Sequence, residues 1–359
     1  MVIPSRSSKA IGLFSGGLDS ILAARLVAEQ GVSSVLLHFR LPFAAPGRII
    51  PEERLRRLAD VSGASLVSVD AGDDYWDVVR EPEFGYVQHL APCLDCLVYM
   101  LRRAAELMRE IKADFVFTGE VVGQRAIAQS KRSLRLVEKA AGLEGRLLRP
   151  LSAKLLEPTI PELTGVVRRE RLLDFHGHSR RQQIRLAHDF GIIDYPVPGG
   201  GCLLTDRNFA ARCRDAVVHG QFESGELELL KHGRHFRLES GARVVVGRNE
   251  FENARLEQLV REKDVLCRPL EVAGPVALLR SGRITKKDIE TCARICARYC
   301  DSDSGKSVKF VTAGKEFSVK ALPDTELARW RVRAPDSDSA SVDSDGVAGK
   351  QGEIGDKRG

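Results

Sequence analysis

Ala10-Ile11-Gly12-Leu13-Phe14-Ser15-Gly16-Gly17-Leu18-Asp19-Ser20, running on into Ile21-Leu22-Ala23-Ala24, is the stretch whose reading decides the fold. The apolar run before Ser15 predicts a strand and the run from Ile21 a helix, so residues 15–20 form a turn that delivers the chain to a helix N-terminus. Two consecutive glycines allow backbone conformations that a β-carbon blocks, and several N–H groups can then converge on an anion. The helix start adds partial positive charge at the same place. Ser15 and Ser20 supply short hydroxyl donors, and Asp19 is placed to hold a divalent cation or to order the loop.

No Lys lies inside the turn, which separates it from a Walker A loop. Ser15-Gly16-Gly17-Leu18-Asp19-Ser20 resembles instead the PP-loop of the ATP pyrophosphatases. That resemblance implies cleavage of ATP between its α- and β-phosphates and adenylation of a second substrate. The plain alternative is a tight strand-to-helix connection with a capping serine.

Composition narrows the class of protein. A chain of 359 residues has room for two domains, each with its own core. No apolar run approaches the roughly 20 residues of a membrane span, and residues 1–9 lack a signal-peptide core, so a cytoplasmic location with no membrane partner is expected. Eight unevenly spaced cysteines do not read as a disulfide framework in that reducing compartment and point to metal binding or sulfur chemistry. The net charge is +6, yet residues 121–185 hold 14 Lys or Arg against 6 Asp or Glu, a local +8. Beside a nucleotide loop, such a bias favours a polyanionic second substrate over a merely solvated face.

Periodicity predicts strands at 32–39, 66–70 and 115–118, a helix over 51–62 opened by Pro51, and an amphipathic helix over 94–110. Alternating strands and helices predict an α/β fold with an open parallel sheet, of the adenine nucleotide α-hydrolase type that the PP-loop resemblance implies. Ligands of such sheets sit at the carboxyl ends of the strands, where residues 15–20, Asp70 and Thr118-Gly119-Glu120 all fall. Short strands at 235–238, 242–246 and 276–279 and a helix over 286–299 predict a smaller C-terminal α+β domain. From about residue 334, Ser, Asp and Gly dominate, as in a disordered tail. The expected division is 1–214, 215–333 and 334–359.

Cys93 and Cys96 form a CxxC pair at a helix start, where the positive helix end would favour thiolates. A third thiol, Cys202, follows Pro198-Gly199-Gly200-Gly201. A CxxC pair plus one distant Cys leaves one coordination position open, and the open iron of a 4Fe-4S cluster held by Cys93, Cys96 and Cys202 could take an exogenous sulfide. A Zn2+ site closed by Cys213 or His89 and a redox CxxC pair are the alternatives. Cys292, Cys296 and Cys300 repeat at helical spacing and read as small buried hydrophobes, while Cys267 has no partner motif.

Thr118-Gly119-Glu120-Val121-Val122-Gly123-Gln124-Arg125, then Ala128-Gln129-Ser130 and Arg149-Pro150-Leu151-Ser152-Ala153-Lys154, make the resemblance specific. They look like the segment after the PP-loop in the 4-thiouridine synthetase (ThiI-like) family, with a relation to the iron-sulfur-dependent 2-thiouridine synthetases. The motifs span most of residues 10–210. The resemblance implies ATP and Mg2+ held by Ser15, Gly16, Gly17, Leu18, Asp19, Ser20, Gly119 and Gln124, with Asp19, Cys93, Cys96 and Cys202 taking part in catalysis. The family's RNA-binding THUMP region has no counterpart before Ile11, and no rhodanese-like extension is found, so RNA binding and sulfur delivery are expected to be managed otherwise. Residues 236–264, centred on Val246-Gly247-Arg248-Asn249-Glu250-Phe251-Glu252-Asn253, resemble the RNA-binding domain of NFACT proteins. His176-Gly177-His178-Ser179-Arg180-Arg181-Gln182-Gln183-Ile184-Arg185 gathers donors for tRNA phosphates or the leaving pyrophosphate at an expected helix start.

These parts imply a tRNA sulfurtransferase that adenylates a uracil carbonyl oxygen and replaces it with sulfur. The product is 4-thiouridine or, as the alternative, 2-thiouridine. The sulfur donor is free sulfide or a cysteine desulfurase, and a homodimer is compatible with the resemblance. A zinc-stabilised PP-loop ligase that attaches an amine and a non-catalytic RNA-binding protein remain as rivals.

Overall fold

In the computed structural model, residues 8–197, 201–302, 305–312 and 314–334 are described. The expectations for residues 1–7, for Pro198, Gly199 and Gly200, and for the tail from residue 335 lie outside them. The chain divides into two compact units, the first ending at Thr205 and the second beginning at Asp206. The boundary expected at 214 falls inside the helix Arg207–Val218. Asp206 caps that helix, its carboxylate accepting from the Phe209 N–H at 2.7 Å, so the boundary falls at the helix start.

The first unit runs β1 (Lys9–Leu13), α1 (Leu18–Ala28), β2 (Ser33–Arg40), α2 (Glu52–Asp60), β3 (Ser65–Asp70), α3 (Tyr75–Arg80), α4 (Cys93–Glu110), β4 (Phe115–Phe117), α5 (Lys131–Ala140), β5 (Leu147–Leu148), α6 (Ile160–Leu163) and α7 (Arg181–Asp189). Its five strands are all parallel, in the order β3-β2-β1-β4-β5. The α/β expectation therefore holds, and the strand order says where a ligand belongs. The chain leaves β1 for β2 on one side, and β4 pairs with β1 on the other, so the crevice lies between the carboxyl ends of β1 and β4. α1 buries Leu18, Ile21, Leu22, Leu26 and Val27 against a core that includes Phe14, Leu36, Phe115 and Phe117. A helix apolar on so much of its surface is held in the interior, and its N-terminus is correspondingly well anchored.

The second unit runs α8 (Arg207–Val218), α9 (Leu227–Lys231), β6 (Arg234–Arg237), β7 (Arg243–Val246), α10 (Glu250–Gln258), β8 (Val265–Pro269), β9 (Ala277–Arg280), α11 (Lys286–Ala297), β10 (Ser307–Thr312), β11 (Lys315–Lys320) and α12 (Asp324–Trp330). Its six strands pair antiparallel in the order β11-β10-β8-β9-β7-β6. Phe236, Val244, Val246, Leu279, Ile295 and Phe310 lie in the core between sheet and helices. The sequence reading passes over β8, β10 and β11 because Arg268, Pro269, Lys309, Lys315, Glu316 and Lys320 dilute their apolar pattern. Charged residues of this kind are how β-sheets blunt an edge.

Cys292 and Cys296 are buried within this core, as expected, and Cys300 is half-buried. Cys267, expected to stand alone, lies against Cys292, and their hydrogen bond, together with burial, pushes the Cys292 thiol up. No helix among the described residues is long and apolar enough to cross a membrane.

Candidate functional site

Residues 15–20 form the expected turn. Gly16 takes a φ of +72°, a left-handed conformation costly for any residue with a β-carbon, and Gly17 is the extended N-cap of α1. The loop is held from within: the Gly17 N–H donates to Ser15 Oγ at 3.2 Å and the Ser20 hydroxyl to the Gly17 carbonyl at 2.8 Å. The segment after β4 closes on it. A β-carbon on Gly119 would stand 2.6 Å from the backbone atoms of Asp19 and Ser20, so only glycine lets this strand end touch the helix start. Gly119 thus acts through contact with the loop's backbone.

Gln124 reaches the same loop, its Nε2 donating to Asp19 Oδ2 at 2.9 Å. Its carbonyl receives His178 Nδ1 at 2.8 Å, and the Gln183 amide meets its Oε1 at 3.4 Å. Arg180 Nη2 stands 3.8 Å from Asp19 Oδ2. The donor-rich segment 176–185 is thereby brought to the phosphate loop, and its helix begins at Arg181. His178 and Gln183 act as anchors for Gln124, a role of which their spacing gives no sign. Asp19 Oδ1 and Gln183 Oε1 are buried acceptors with no partner. Unsatisfied buried acceptors on both sides of Gln124 fit a divalent cation or its water, and this is the observation that favours Mg2+ here.

Behind the loop lies an ionic network to which the sequence gives no clue. Arg149, 3 % exposed, donates through Nε to Glu120 Oε2 at 3.1 Å, through Nη1 to Glu138 Oε2 at 3.0 Å, and through Nη2 to the Leu134 carbonyl at 3.0 Å. Thr118 Oγ1 adds a bond to Glu120 at 3.0 Å. Arg149 counts toward the local positive charge in the sequence, yet in the fold it is an internal brace beneath Gly119. Removing one partner leaves the other charges buried and unpaired, which costs about 3–5 kcal/mol. Arg149→Met is therefore expected to lower the melting temperature by roughly 10 °C, and an unchanged thermal transition would show the network to be energetically neutral.

The sulfur side is built from two distant segments. Cys93 and Cys96 occupy the first turn of α4, with the Cys96 N–H on the Pro92 carbonyl at 2.8 Å. Residues 201–204 are stitched to the chain after β2: Ala45 N donates to the Gly201 carbonyl at 2.6 Å, Leu203 N to Phe43 O at 2.8 Å, and Ala44 bridges Cys202. Leu90 N donates to Leu204 O at 3.3 Å, which ties the same segment to the start of α4. The Cys93 charge adds to the resistance of Cys96 and Cys202 to ionisation, and the Cys202 charge to that of Cys96. Tyr75 donates its hydroxyl proton to Cys96 Sγ at 3.1 Å and packs edge-on to Tyr99 at 5.2 Å.

The expectation that the helix end favours thiolates is corrected. Burial dominates, pushing the Cys96 thiol up to about 12 and those of Cys93 and Cys202 up as well, against a smaller opposing pull from the Arg125 charge. Among the described residues, no three His, Cys, Asp or Glu side chains converge as a site for a metal ion. Cys213, named as a closing zinc ligand, is fully buried in α8 of the second unit. One segment joins the two halves of the site: Gln124 bonds Asp19 of the phosphate loop, and its neighbour Arg125 bears on all three sulfurs.

Residues 5–155 match the family model described as thiamine biosynthesis protein (ThiI). Residues 233–331 match the NFACT protein RNA binding domain. The tRNA sulfurtransferase of Desulfurococcus amylolyticus is 31 % identical over 153 residues, which cover 40 % of this chain and 30 % of the relative. The probable tRNA sulfurtransferase of Limosilactobacillus reuteri is 30 % identical over 148 residues, 40 % of this chain and 34 % of its own. The chain thus spans about a third of the length of these curated relatives. A crystal structure of a 4-thiouridine synthetase–RNA complex with bound ATP overlaps 52 % of each chain at 21 % identity, with a TM-score of 0.34. The ThiI match takes in the phosphate loop, the CxxC pair, Gln124 and Arg149, and ends before Cys202 and the anchors His178 and Gln183.

Proposed function

We propose that this protein is an ATP-dependent tRNA uridine sulfurtransferase, and that its product is 4-thiouridine. The phosphate loop holds the ATP triphosphate with Mg2+ at Asp19. A uracil carbonyl oxygen attacks the α-phosphorus, pyrophosphate leaves, and the oxygen is now carried as an adenylate. A hydrosulfide then attacks the ring carbon, AMP departs with the oxygen, and a proton is lost to solvent. The protein's part in the first step is to orient the nucleotide and to stabilise charge on pyrophosphate through loop N–H groups and Arg180. A 4Fe-4S cluster on Cys93, Cys96 and Cys202 would supply an iron with an open position for exogenous sulfide. The C-terminal unit supplies RNA affinity.

The observation that supports this reading is that Gln124 bonds Asp19 of the loop while the charge of its neighbour Arg125 acts on Cys93, Cys96 and Cys202. A pyrophosphatase site with no sulfur chemistry has no use for that neighbourhood. Nucleoside mass spectrometry of tRNA from a deletion strain tests it. Loss of 4-thiouridine is expected, loss of 2-thiouridine would move the reaction to the other carbonyl, and an unchanged thionucleoside profile would reject the proposal.

A further inference from the structure

In the second unit, three guanidinium groups are attached where β6 begins and β7 ends, and two of them make no direct ion pair among the described residues. Arg212 donates through Nη1 to the Gly233 carbonyl at 3.4 Å and lies over the Phe209 ring at 5.6 Å, while its Nε is buried with no partner. Arg234 donates to the Gly247 carbonyl at 3.1 Å and stacks on Tyr299 at 4.5 Å. Neither makes an ion pair among the described residues. Arg248, the third, is held by the buried Glu252 through both of its carboxylate oxygens. Burial and the nearby Arg248 charge both hold the Arg212 guanidinium below its ordinary range. A desolvated guanidinium with no carboxylate in direct contact is costly; the charges of Asp206 and Glu252 offset part of that cost and an arriving anion offsets more.

The turn that carries these groups is rigid. Asn249 caps α10, accepting from Glu252 N at 2.9 Å, and Asn253 Oδ1 accepts from Val276 N at 3.1 Å. A β-carbon on Gly247 would come within 2.0 Å of Asn253 Oδ1, so the motif 246–253 is built for this geometry. In the first turn of α10, Phe251 is 66 % exposed, with the His232 ring edge-on at 6.0 Å. An exposed aromatic ring three residues from the Arg248 guanidinium is the kind of arrangement by which proteins stack a base while gripping its phosphate.

We infer that Arg212, Arg234 and Arg248 bind a backbone phosphate of single-stranded RNA and that Phe251 stacks the adjoining base. The inference rests on the proposed tRNA substrate and assigns the residues that hold it. Guanidinium groups suit phosphate because their planar N–H pairs match its oxygens.

The test is fluorescence anisotropy with the full chain, using a labelled single-stranded oligouridylate and an unmodified tRNA transcript across a salt series. Arg212→Gln with Arg248→Gln is expected to weaken binding about tenfold, and the slope of log affinity against log salt becomes shallower by about 0.7 for each phosphate no longer neutralised. Phe251→Ala weakens binding about tenfold with the slope unchanged. Wild-type affinity and slope in these variants would overturn the site. If circular dichroism shows the Arg212 variant unfolded, Arg248→Gln and Phe251→Ala, both at exposed positions, carry the same test. Thiouridine formation is scored separately. RNA binding that needs these residues without any thiolation would overturn the proposed function alone, whereas thiolation with variants that bind normally would overturn this site alone.

Discussion

Asp19→Asn is expected to lower tRNA-dependent AMP and pyrophosphate formation by about two to three orders of magnitude, the usual effect of removing one preorganised electrostatic partner of a transition state. The change is nearly isosteric, so the loop's internal bonds from Ser15, Gly17 and Ser20 are preserved. What changes is the polarity of one atom. Gln124 Nε2 donates to Oδ2, so an asparagine must turn its oxygen toward Gln124 and its NH2 group into the place of Oδ1. That position is now a buried acceptor with no protein partner, and a donor there repels the cation that an acceptor would hold. Affinity for tRNA should stay within about twofold, since the proposed function puts this charge beside the triphosphate and not on an RNA-binding surface. Radiolabelled ATP turnover and filter binding read the two quantities separately. Unchanged AMP formation would remove Asp19 from the mechanism, and equal loss of both would mean that the loop had collapsed.

Cys202→Ser is expected to reduce thiouridine to background while ATP–pyrophosphate exchange on tRNA continues. The serine keeps the size of the side chain, and the backbone bonds of Gly201, Leu203 and Leu204 that place it do not involve the sulfur. Cys93→Ser should behave alike. Cys96 needs the same conservative replacement for a further reason: Tyr75 donates to its sulfur, and alanine would strand a buried hydroxyl at a cost of about 1–3 kcal/mol. Serine retains an acceptor, so a defect in Cys96→Ser reports on sulfur chemistry and not on packing. Iron and acid-labile sulfide content of anaerobically prepared protein distinguishes a cluster from zinc. Full thiolation by any of the three variants would reject the requirement for a sulfur trio.

The parts of the site that are legible in the sequence are those in which a short motif does local work. Residues 15–20 announce their turn because paired glycines and small hydroxyls between an apolar run and a helix have few other uses. The CxxC pair is legible for the same reason, since two residues three apart at a helix start share one turn. His178 and Gln183 read as donors, but their attachment to Gln124 spans more than fifty residues and leaves no spacing signal. Arg149 misleads because a basic residue in a basic segment gives no sign of being buried between two glutamates. The strands β10 and β11 escape notice because Lys309 in β10 and the lysines of the edge strand β11 hide the alternation that marks a strand.

The amino-acid sequence alone determined the α/β class and the strand-to-helix turn at residues 15–20, because each follows from the conformational freedom or periodicity of neighbouring residues, and it singled out Cys93, Cys96 and Cys202 as candidates. Only tertiary structure decided that Cys202 returns to the CxxC helix, that Gln124 is fastened to Asp19, and that Arg212 and Arg234 bond the carbonyls of Gly233 and Gly247 with no direct ion pair among the described residues. Those are meetings between segments distant in the chain, set by how strands are ordered and by which charged groups find partners on burial, and no local pattern encodes them.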